Sequence, residues 1–425
     1  MVGQKIYKNP FLLFAPLLVL FVLITLVVHD DAMESDEGRY YYFAENLYNG
    51  YYSPPPPDIN LWCGPGFPII LIPFVALKLP LISITLFNAI LMYLSVVLLY
   101  KSAIKFVSYP LTLFFSFFWA FCYSAYKYIS LIHTEIFTAF LIMLLTYFSV
   151  LAFESKTSSK RYLILGGLIL GFIALTKIIF GYVLVVLLIG SIMLFLISEN
   201  KVNLKKTLFI LLVAFLTVSP YLLYTYNLTG RAYYWGNSGG MSLYWMSTPH
   251  EMEYGDWNNE TYTAVIDAEI SGGPAILKKT HQKDADEIAK YTGVEKDDAY
   301  KRIAIQNIKS NPTKFLKNII SNISRSFFGF PFTYSYQRPL IKVWYSSILF
   351  TLILVSMILT IINWKKIDFS IRFLLFTVSI YYGGSTLLSM DIRQLVVIIP
   401  LLLFWIAYTL QKSLTLKIKF DNKTV

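Results

Sequence analysis

Several ionisable side chains stand beside long apolar runs of this chain, where charge is costly. They are Asp36 and Glu37, His133 and Glu135, Lys177, and Asp391 and Arg393. Ionisable residues in such places are usually functional. A carboxylate can take a proton from a reacting hydroxyl, and a lysine or arginine can stabilise phosphate charge. These residue types therefore suit a reaction on an anionic molecule embedded in a membrane.

The acidic pair Asp36 and Glu37 follows the first apolar run and begins a predicted helix that ends at Asn49 and Gly50. Acidic residues in a first turn also simply complement the positive end of a helix. That structural explanation does not require the further acids beside them, Asp30, Asp31 and Glu34. The pattern favours a functional role for Asp36 and leaves Glu37 open.

The other candidates also have structural explanations. His133 and Glu135 flank Thr134, so this segment is equally well explained as a capped helix start. Lys177 can snorkel to lipid headgroups, although a lysine is less expected at the outer end of a short span. Asp391 and Arg393 can form a loop salt bridge with each other or contact a phosphate.

The composition places these residues in a membrane protein. Of the 425 residues, 56% are hydrophobic and 14% charged, against about 25% charged in soluble domains. The mean hydropathy is +0.58. The net charge of +11 does not indicate nucleic acid, because many basic residues lie in short loops between apolar runs. Cys63 and Cys122 are too few for a disulfide framework or a cysteine zinc site, and free thiols are expected.

About ten apolar stretches approach the length that crosses a bilayer. They are 11–28, 81–100, 109–126, 135–153, 162–176, 178–197, 207–226, 343–363, 370–388 and 395–411. The first has no small-residue cleavage site and is expected to be retained. Basic groups, from Lys5 and Lys8 through Lys156 to Lys365 and Lys366, fall on one side if the N-terminus is cytoplasmic. Every candidate above then lies at the outer face.

The predicted fold class is an all-α polytopic membrane protein with a small extracytoplasmic α or α/β domain. Residues 1–226 form an N-terminal transmembrane module whose first outer loop, 29–80, carries the acidic pair. The short apolar piece 67–79 should lie at the interface or dip into the membrane and out again. Residues 227–341 form the membrane-apposed domain, called the outer domain below, and residues 342–425 form the last spans and a basic cytoplasmic tail. Asn311 and Pro312 begin a helix expected to lie on the membrane surface, with Phe315, Ile319, Ile323 and Phe327 on one face.

The order of short motifs along nearly the whole chain resembles the GT-C superfamily, in its protein O-mannosyltransferase-like and aminoarabinose-transferase-like branch (glycosyltransferase family 39 type). The motifs are Asp36-Glu37-Gly38-Arg39-Tyr40, Gly64-Pro65-Gly66-Phe67-Pro68, His133-Thr134-Glu135, the glycine-rich 167–171 followed by Leu175-Thr176-Lys177, Gly230-Arg231 with Asn237 to Tyr244, and Asp391-Ile392-Arg393. One motif departs from the family pattern, because Tyr226-Asn227 stands where an Arg-Asn pair is expected.

The resemblance implies an inverting glycosyltransferase in the cell membrane with an extracytoplasmic active site. It implies a polyprenyl-phosphate sugar as donor and a hydroxyl on protein, glycan or lipid as acceptor. Asp36 is the expected base, with Glu37 as its alternative, and Lys177 and Arg393 the expected phosphate contacts. The other expected substrate-binding residues are Arg39, Tyr40, His133, Glu135, Arg231, Asn237 and Asp391. A divalent cation, held by Glu37 or Glu135, remains open.

Two other classes of function remain. One is a flippase or transporter of lipid-linked sugars, which needs polar groups near the membrane midplane. The other is a non-catalytic subunit of a glycan-assembly complex. Sugar transfer by the purified protein separates the enzyme from both.

Overall fold

The computed structural model describes residues 9–33, 36–154, 160–199, 201–258, 273–334 and 343–421, and the regular secondary structure within these residues is all helical. Lys5, Lys8, Glu34 and Lys156 lie outside them. The helices of the N-terminal part are α1 (Pro10–Leu13), α2 (Ala15–Val28), α3 (Asp36–Tyr48), α4 (Gly66–Ala76), α5 (Ile82–Ala103), α6 (Tyr109–Ala120), α7 (Tyr123–Ile129), α8 (Thr134–Glu154), α9 (Lys160–Thr176), α10 (Ile179–Ile197) and α11 (Val202–Thr229). The remaining helices are α12 (Gly239–Met246), α13 (Gly273–Ile288), α14 (Gly293–Ser310), α15 (Pro312–Phe328), α16 (Val343–Ile362), α17 (Phe369–Thr386), α18 (Ile392–Val396) and α19 (Ile399–Asp421).

Five of the described helices are long and apolar enough to cross a membrane. They cover Ile82–Ala103, Thr134–Phe153, Ile179–Ile197, Val202–Thr229 and Trp344–Ile362. Shorter apolar helices, Ala15–Val28 and Tyr109–Ala120, stand where two more spans were predicted. The chain is thus a polytopic helical membrane protein, as the composition indicated.

Two predicted spans have different limits in the structure. The third, 109–126, was wrong as one helix, because α6 ends at Ala120 and α7 begins at Tyr123. The tenth was expected from residue 395, but the five-residue helix α18 ends at Val396 and α19 begins at Ile399. In both places a short helix precedes or follows the apolar run, and hydropathy does not detect such a break.

Glycines let two transmembrane helices approach closely. Gly167 and Gly171 of α9 face α11, where an added Cβ would overlap the side chains of Val213 and Thr217. Small residues at helix contacts allow such close packing in membranes. The glycine-rich pattern of α9 therefore has a packing explanation.

The first outer loop and the region after α11 contact each other at one end of the bundle. The Asn237 side chain donates to the Ile59 carbonyl at 2.9 Å and accepts from the Leu61 amide at 3.0 Å. The Ser53 amide donates to the Tyr224 hydroxyl at 3.0 Å. At another part of the bundle, Lys206 of α11 donates to the Ala152 carbonyl of α8 at 2.8 Å. The first outer loop and the segment that carries Asn237 thus lie at the same end of the bundle.

Helix α15 begins at Pro312 as predicted, but its polar side faces the protein. Lys314, Asn318, Asn322 and Arg325 are buried, whereas Leu316 and Ile320 are 60% and 68% exposed. Lys314 and Arg325 thus pack into the protein instead of facing solvent. The outward apolar side chains remain compatible with a helix at a membrane surface.

Candidate active site

Arg393 joins two carboxylates that come from distant parts of the chain. Its Nη1 atom lies 2.6 Å from Asp36 Oδ2, and its Nε atom lies 2.9 Å from Glu135 Oε1. Glu135 Oε1 also accepts from Lys177 Nζ at 2.9 Å. Arg39, one turn after Asp36, forms an ion pair with the second Asp36 oxygen. Asp36, Arg39, Glu135, Lys177 and Arg393 are called the charged cluster below.

Four separate structural elements supply the charged cluster. Asp36 is the first residue of α3, Glu135 lies in the first turn of α8, and Arg393 lies in α18. Lys177 follows the last residue of α9. Two of the sequence motifs contact each other here, since an added Cβ at Gly64 or Gly66 would collide with Leu175 or Thr176. The glycine motif thereby lets the first outer loop pack against the residues that hold Lys177.

The charged cluster is largely buried, but part of it remains accessible to solvent. Glu135 has no exposed side-chain area, whereas Asp36, Lys177 and Arg393 are 19%, 16% and 26% exposed. Arg393 carries five N–H donors on three nitrogens, and among the described residues only Nε and Nη1 have hydrogen-bond acceptors. A small anion can therefore reach the remaining donors.

Asp36 is held in its ionised form. Burial alone would raise the pKa of its carboxyl, but the adjacent Arg393 guanidinium, assisted by Arg39, outweighs burial and lowers the pKa below its ordinary value. Arg39 itself lies 4.7 Å from the centre of the Trp62 ring, a cation–π distance. Trp62 thus fixes one of the two cations beside Asp36.

Glu37 and His133 border the cluster. The Glu37 carboxylate is buried and accepts from the Ile132 amide at 2.8 Å, so it fastens the segment before α8. The His133 ring stacks on Tyr128 at 6.0 Å, and its Nδ1 atom lies 3.6 Å from Glu135 Oε2. Burial lowers the pKa of His133, which favours the neutral imidazole. The Tyr40 ring packs edge-on against Phe67.

Asp391, Arg231 and Asn237 make structural contacts. Asp391 caps α18 in a capping box with Gln394, and Arg393 pairs with Asp36 and Glu135, so the suggested Asp391–Arg393 loop salt bridge was wrong. Arg231 forms a bidentate ion pair with Asp298 at 2.8 and 2.5 Å. Asn237 binds the backbone of the first outer loop.

The sequence reasoning missed a buried polar stripe on α15 that supports the cluster. Arg325 is fully buried, and its Nε atom donates to the Met390 carbonyl at 2.8 Å. Asn322 donates to the Thr386 and Leu388 carbonyls at 3.0 and 2.6 Å. These bonds hold the segment that leads to α18 and Arg393. The signal in the sequence was the four-residue spacing of polar groups at 314, 318 and 322.

The described residues contain one group of histidines and carboxylates close enough to hold a metal ion. It consists of His250, Glu253 and His281 in the outer domain, whose ligand atoms lie within 4.8 Å of one another. The group does not include Glu37 or Glu135, the residues for which a divalent cation was considered.

Comparison with known proteins agrees with this architecture. Residues 65–224, less than half the chain, match the model of the dolichyl-phosphate-mannose-protein mannosyltransferase family. No curated protein matches the sequence. The oligosaccharyltransferase of Archaeoglobus fulgidus tethered with an acceptor peptide is 11% identical with a TM-score of 0.50, over 96% of this chain and 50% of that one.

Two further solved structures have lower TM-scores. AglB of Archaeoglobus fulgidus, in complex with an inhibitory peptide and a dolichol-phosphate, is 12% identical (TM-score 0.48; 96% of this chain and 52% of that one). ArnT of Cupriavidus metallidurans bound to undecaprenyl phosphate is 10% identical (TM-score 0.42; 94% and 77%). The chain spans about half the length of the archaeal proteins.

The described helices define a polytopic helical membrane protein, and the family match covers residues 65–224 of it. That match agrees with the resemblance to protein O-mannosyltransferases that the order of the motifs indicated.

Proposed function

We propose that the protein is an inverting glycosyltransferase that moves a sugar from a polyprenyl-phosphate donor to a hydroxyl acceptor. The observation that carries the proposal is the contact of Arg393 with both Asp36 and Glu135. It unites a candidate base with cations for a phosphate, and it does so at the end of the bundle where the outer domain lies. The family match over residues 65–224 supports the general reaction.

Lys177 and Arg393 bind the donor phosphate in this proposal. The leaving group is a phosphate, so it needs positive charge more than it needs a proton. Glu135 contacts both cations through one oxygen and holds them side by side. The donor competes with Asp36 for Arg393, and binding of the phosphate thereby frees the aspartate for chemistry.

Asp36 is the base. As the acceptor oxygen bonds to the anomeric carbon, Asp36 takes the hydroxyl proton, and the bond from that carbon to the phosphate oxygen breaks on the opposite face. The polyprenyl phosphate leaves with the bonding electrons, and the configuration at the anomeric carbon inverts. Glu37 acts as a positioning residue through the Ile132 amide.

The acceptor is a hydroxyl on protein, glycan or lipid, and the reaction takes place on the extracytoplasmic face of the cell membrane. A flippase needs polar groups along its spans. Among the described transmembrane residues, Thr138 and Thr146 of α8 and Ser102 of α5 donate to carbonyls of their own helices. These three hydroxyls are used within their own helices, so they do not line a polar path.

An assay with the purified full-length protein tests the proposal. The protein is incubated with a panel of polyprenyl-phosphate sugars and hydroxyl acceptors, and loss of lipid-linked sugar is measured by mass spectrometry. We expect one donor to be consumed with release of polyprenyl phosphate. Movement of intact donor across a proteoliposome membrane, with no consumption of any donor, would instead identify a flippase.

A further inference from the structure

A second group of titratable side chains lies in the outer domain, apart from the charged cluster. Glu253 and His281 are 1% and 2% exposed, and His250 is half-buried. His281 Nε2 lies 2.9 Å from Glu253 Oε2. His250 and Glu253 lie in the segment after α12, and His281 lies in α13, so the group joins two parts of the domain.

The hydrogen bonds of His281 determine which ring nitrogen carries a proton. Its Nδ1 atom lies 2.5 Å from the Tyr244 hydroxyl, and that hydroxyl donates to Asp284 Oδ2 at 2.9 Å. Because Tyr244 donates its proton to Asp284, Nδ1–H of His281 is the donor to Tyr244. A neutral His281 then presents the lone pair of Nε2 to the Glu253 carboxylate. Two lone pairs at this distance repel, and a cation between Nε2 and the carboxylate removes that repulsion.

The ligand types favour a transition metal as that cation. Two imidazoles and one carboxylate form the set of three protein ligands found in many zinc sites, whereas Mg²⁺ and Ca²⁺ take oxygen ligands. The outer contacts also suit a metal. Tyr244 orients the second nitrogen of His281, and the Thr248 hydroxyl donates to the Glu253 carboxylate. Metal-binding histidines and carboxylates commonly have such partners.

We infer that His250, Glu253 and His281 bind a divalent transition metal of the zinc type, which fastens α13 to the segment after α12. Tetrahedral zinc with these ligands places neighbouring ligand atoms about 3.3 Å apart. The His281–Glu253 distance of 2.9 Å thus needs to widen by only a few tenths of an ångström. Lys314 of α15 donates to the Glu253 carbonyl at 2.6 Å, so the metal also stabilises the part of the domain that α15 holds.

Metal binding to the purified full-length protein, prepared with a purification tag that contains no histidine, tests this inference. The protein is loaded with Zn²⁺ and separately with Co²⁺, dialysed, and examined by elemental analysis and by the visible absorption of Co²⁺. We expect about one ion per chain in the wild type. His250→Ala is the main variant, because it removes a half-buried ligand and leaves the buried Glu253–His281 contact in place. Its affinity for Zn²⁺ should fall by more than the roughly 10–100-fold that loss of an outer contact costs.

His29→Ala is the matched control, since it removes a histidine outside the group and should bind as the wild type does. A chelator should lower the thermal midpoint of the wild type and of His29→Ala but not that of His250→Ala. If the wild type binds no Zn²⁺ or Co²⁺, or if His250→Ala binds as tightly as the wild type, the inference is wrong. His281 is then an imidazolium paired with Glu253. Neither result depends on sugar transfer, so this test and the test of the proposed function fail separately.

Discussion

Arg393 Nη1 lies 2.6 Å from Asp36 Oδ2, although 357 positions of sequence separate the two residues. The contact joins the first outer loop to α18, the short helix that carries Arg393. It also places the proposed base beside a cation that a donor phosphate would contact. Each of these two roles can be tested separately.

Lys177→Ala should weaken donor binding and leave the maximal rate with saturating donor less affected. A lost contact between a buried lysine and an anion costs about 2–5 kcal/mol. The protein should still fold, because Glu135 keeps its contact with Arg393. Donor titration of initial rates measures the effect. Lys206→Ala, which removes the lysine that contacts Ala152, is the control. An unchanged donor KM in Lys177→Ala would move the phosphate site toward Arg393.

The pH dependence should differ between the free enzyme and its donor complex. Arg393 and Arg39 lower the pKa of Asp36 despite its burial, and a bound phosphate offsets the Arg393 charge, so donor binding should raise that pKa. The acid limb of kcat/KM, which reports the free enzyme, should therefore lie at lower pH than the acid limb of kcat. Rates across the acidic range measure both limbs. Acid limbs in the reverse order would contradict the proposal that Arg393 leaves Asp36 and contacts the phosphate when the donor binds.

Arg325→Met should destabilise the outer domain. The change leaves the Met390 and Pro331 carbonyls without their buried donor and removes a cation close to the buried carboxylate of Asp256. Breaking a buried charged contact costs about 3–5 kcal/mol. Thermal unfolding in detergent should show a clear loss of midpoint. Lys317→Met, an exposed change on the same helix, should not. Equal midpoints for the two variants would show that the polar stripe does not hold this segment.

Single cysteines test the sidedness of the protein. In a background that lacks Cys63 and Cys122, cysteines at the exposed positions Asn49 and Asp286 should both react with a membrane-impermeant maleimide added to intact cells. A cysteine at Lys105 is the cytoplasmic control and should react only after lysis. If position 286 reacts from outside while position 49 does not, the shared outer location of the first loop and the outer domain is wrong.

Much of this arrangement was predictable from the sequence. Basic residues between apolar runs oriented the spans, and that orientation alone placed Asp36, Glu135, Lys177 and Arg393 at one face. The proline at 312 marked the start of α15. Each of these signals is local or depends only on the alternation of spans.

The contacts between distant segments were not predictable. The alternating pattern of α15 shows two faces but not which one the protein buries, and Arg325 is paired with carbonyls that lie up to 71 positions away. Glu253 and His281 are 28 positions apart on unrelated elements. Asp391 also shows this limit. From the sequence alone, an aspartate that caps a helix looks the same as one that contributes to a phosphate site with Arg393, and only the partner of Arg393 distinguishes the two.

The most direct test of the proposal is the rate of sugar transfer by Asp36→Asn with donor and acceptor both saturating. The amide keeps the size of the side chain, but it cannot accept the proton. Loss of a positioned base costs about 10²–10⁴-fold in rate. Glu45→Gln, the same change at an exposed position of α3, is the control and should transfer sugar at the wild-type rate. We expect Asp36→Asn to insert into the membrane, to bind donor and to lose transfer by that factor. Transfer by Asp36→Asn at close to the wild-type rate would contradict the assignment, and loss of transfer in Glu37→Gln instead would make Glu37 the base.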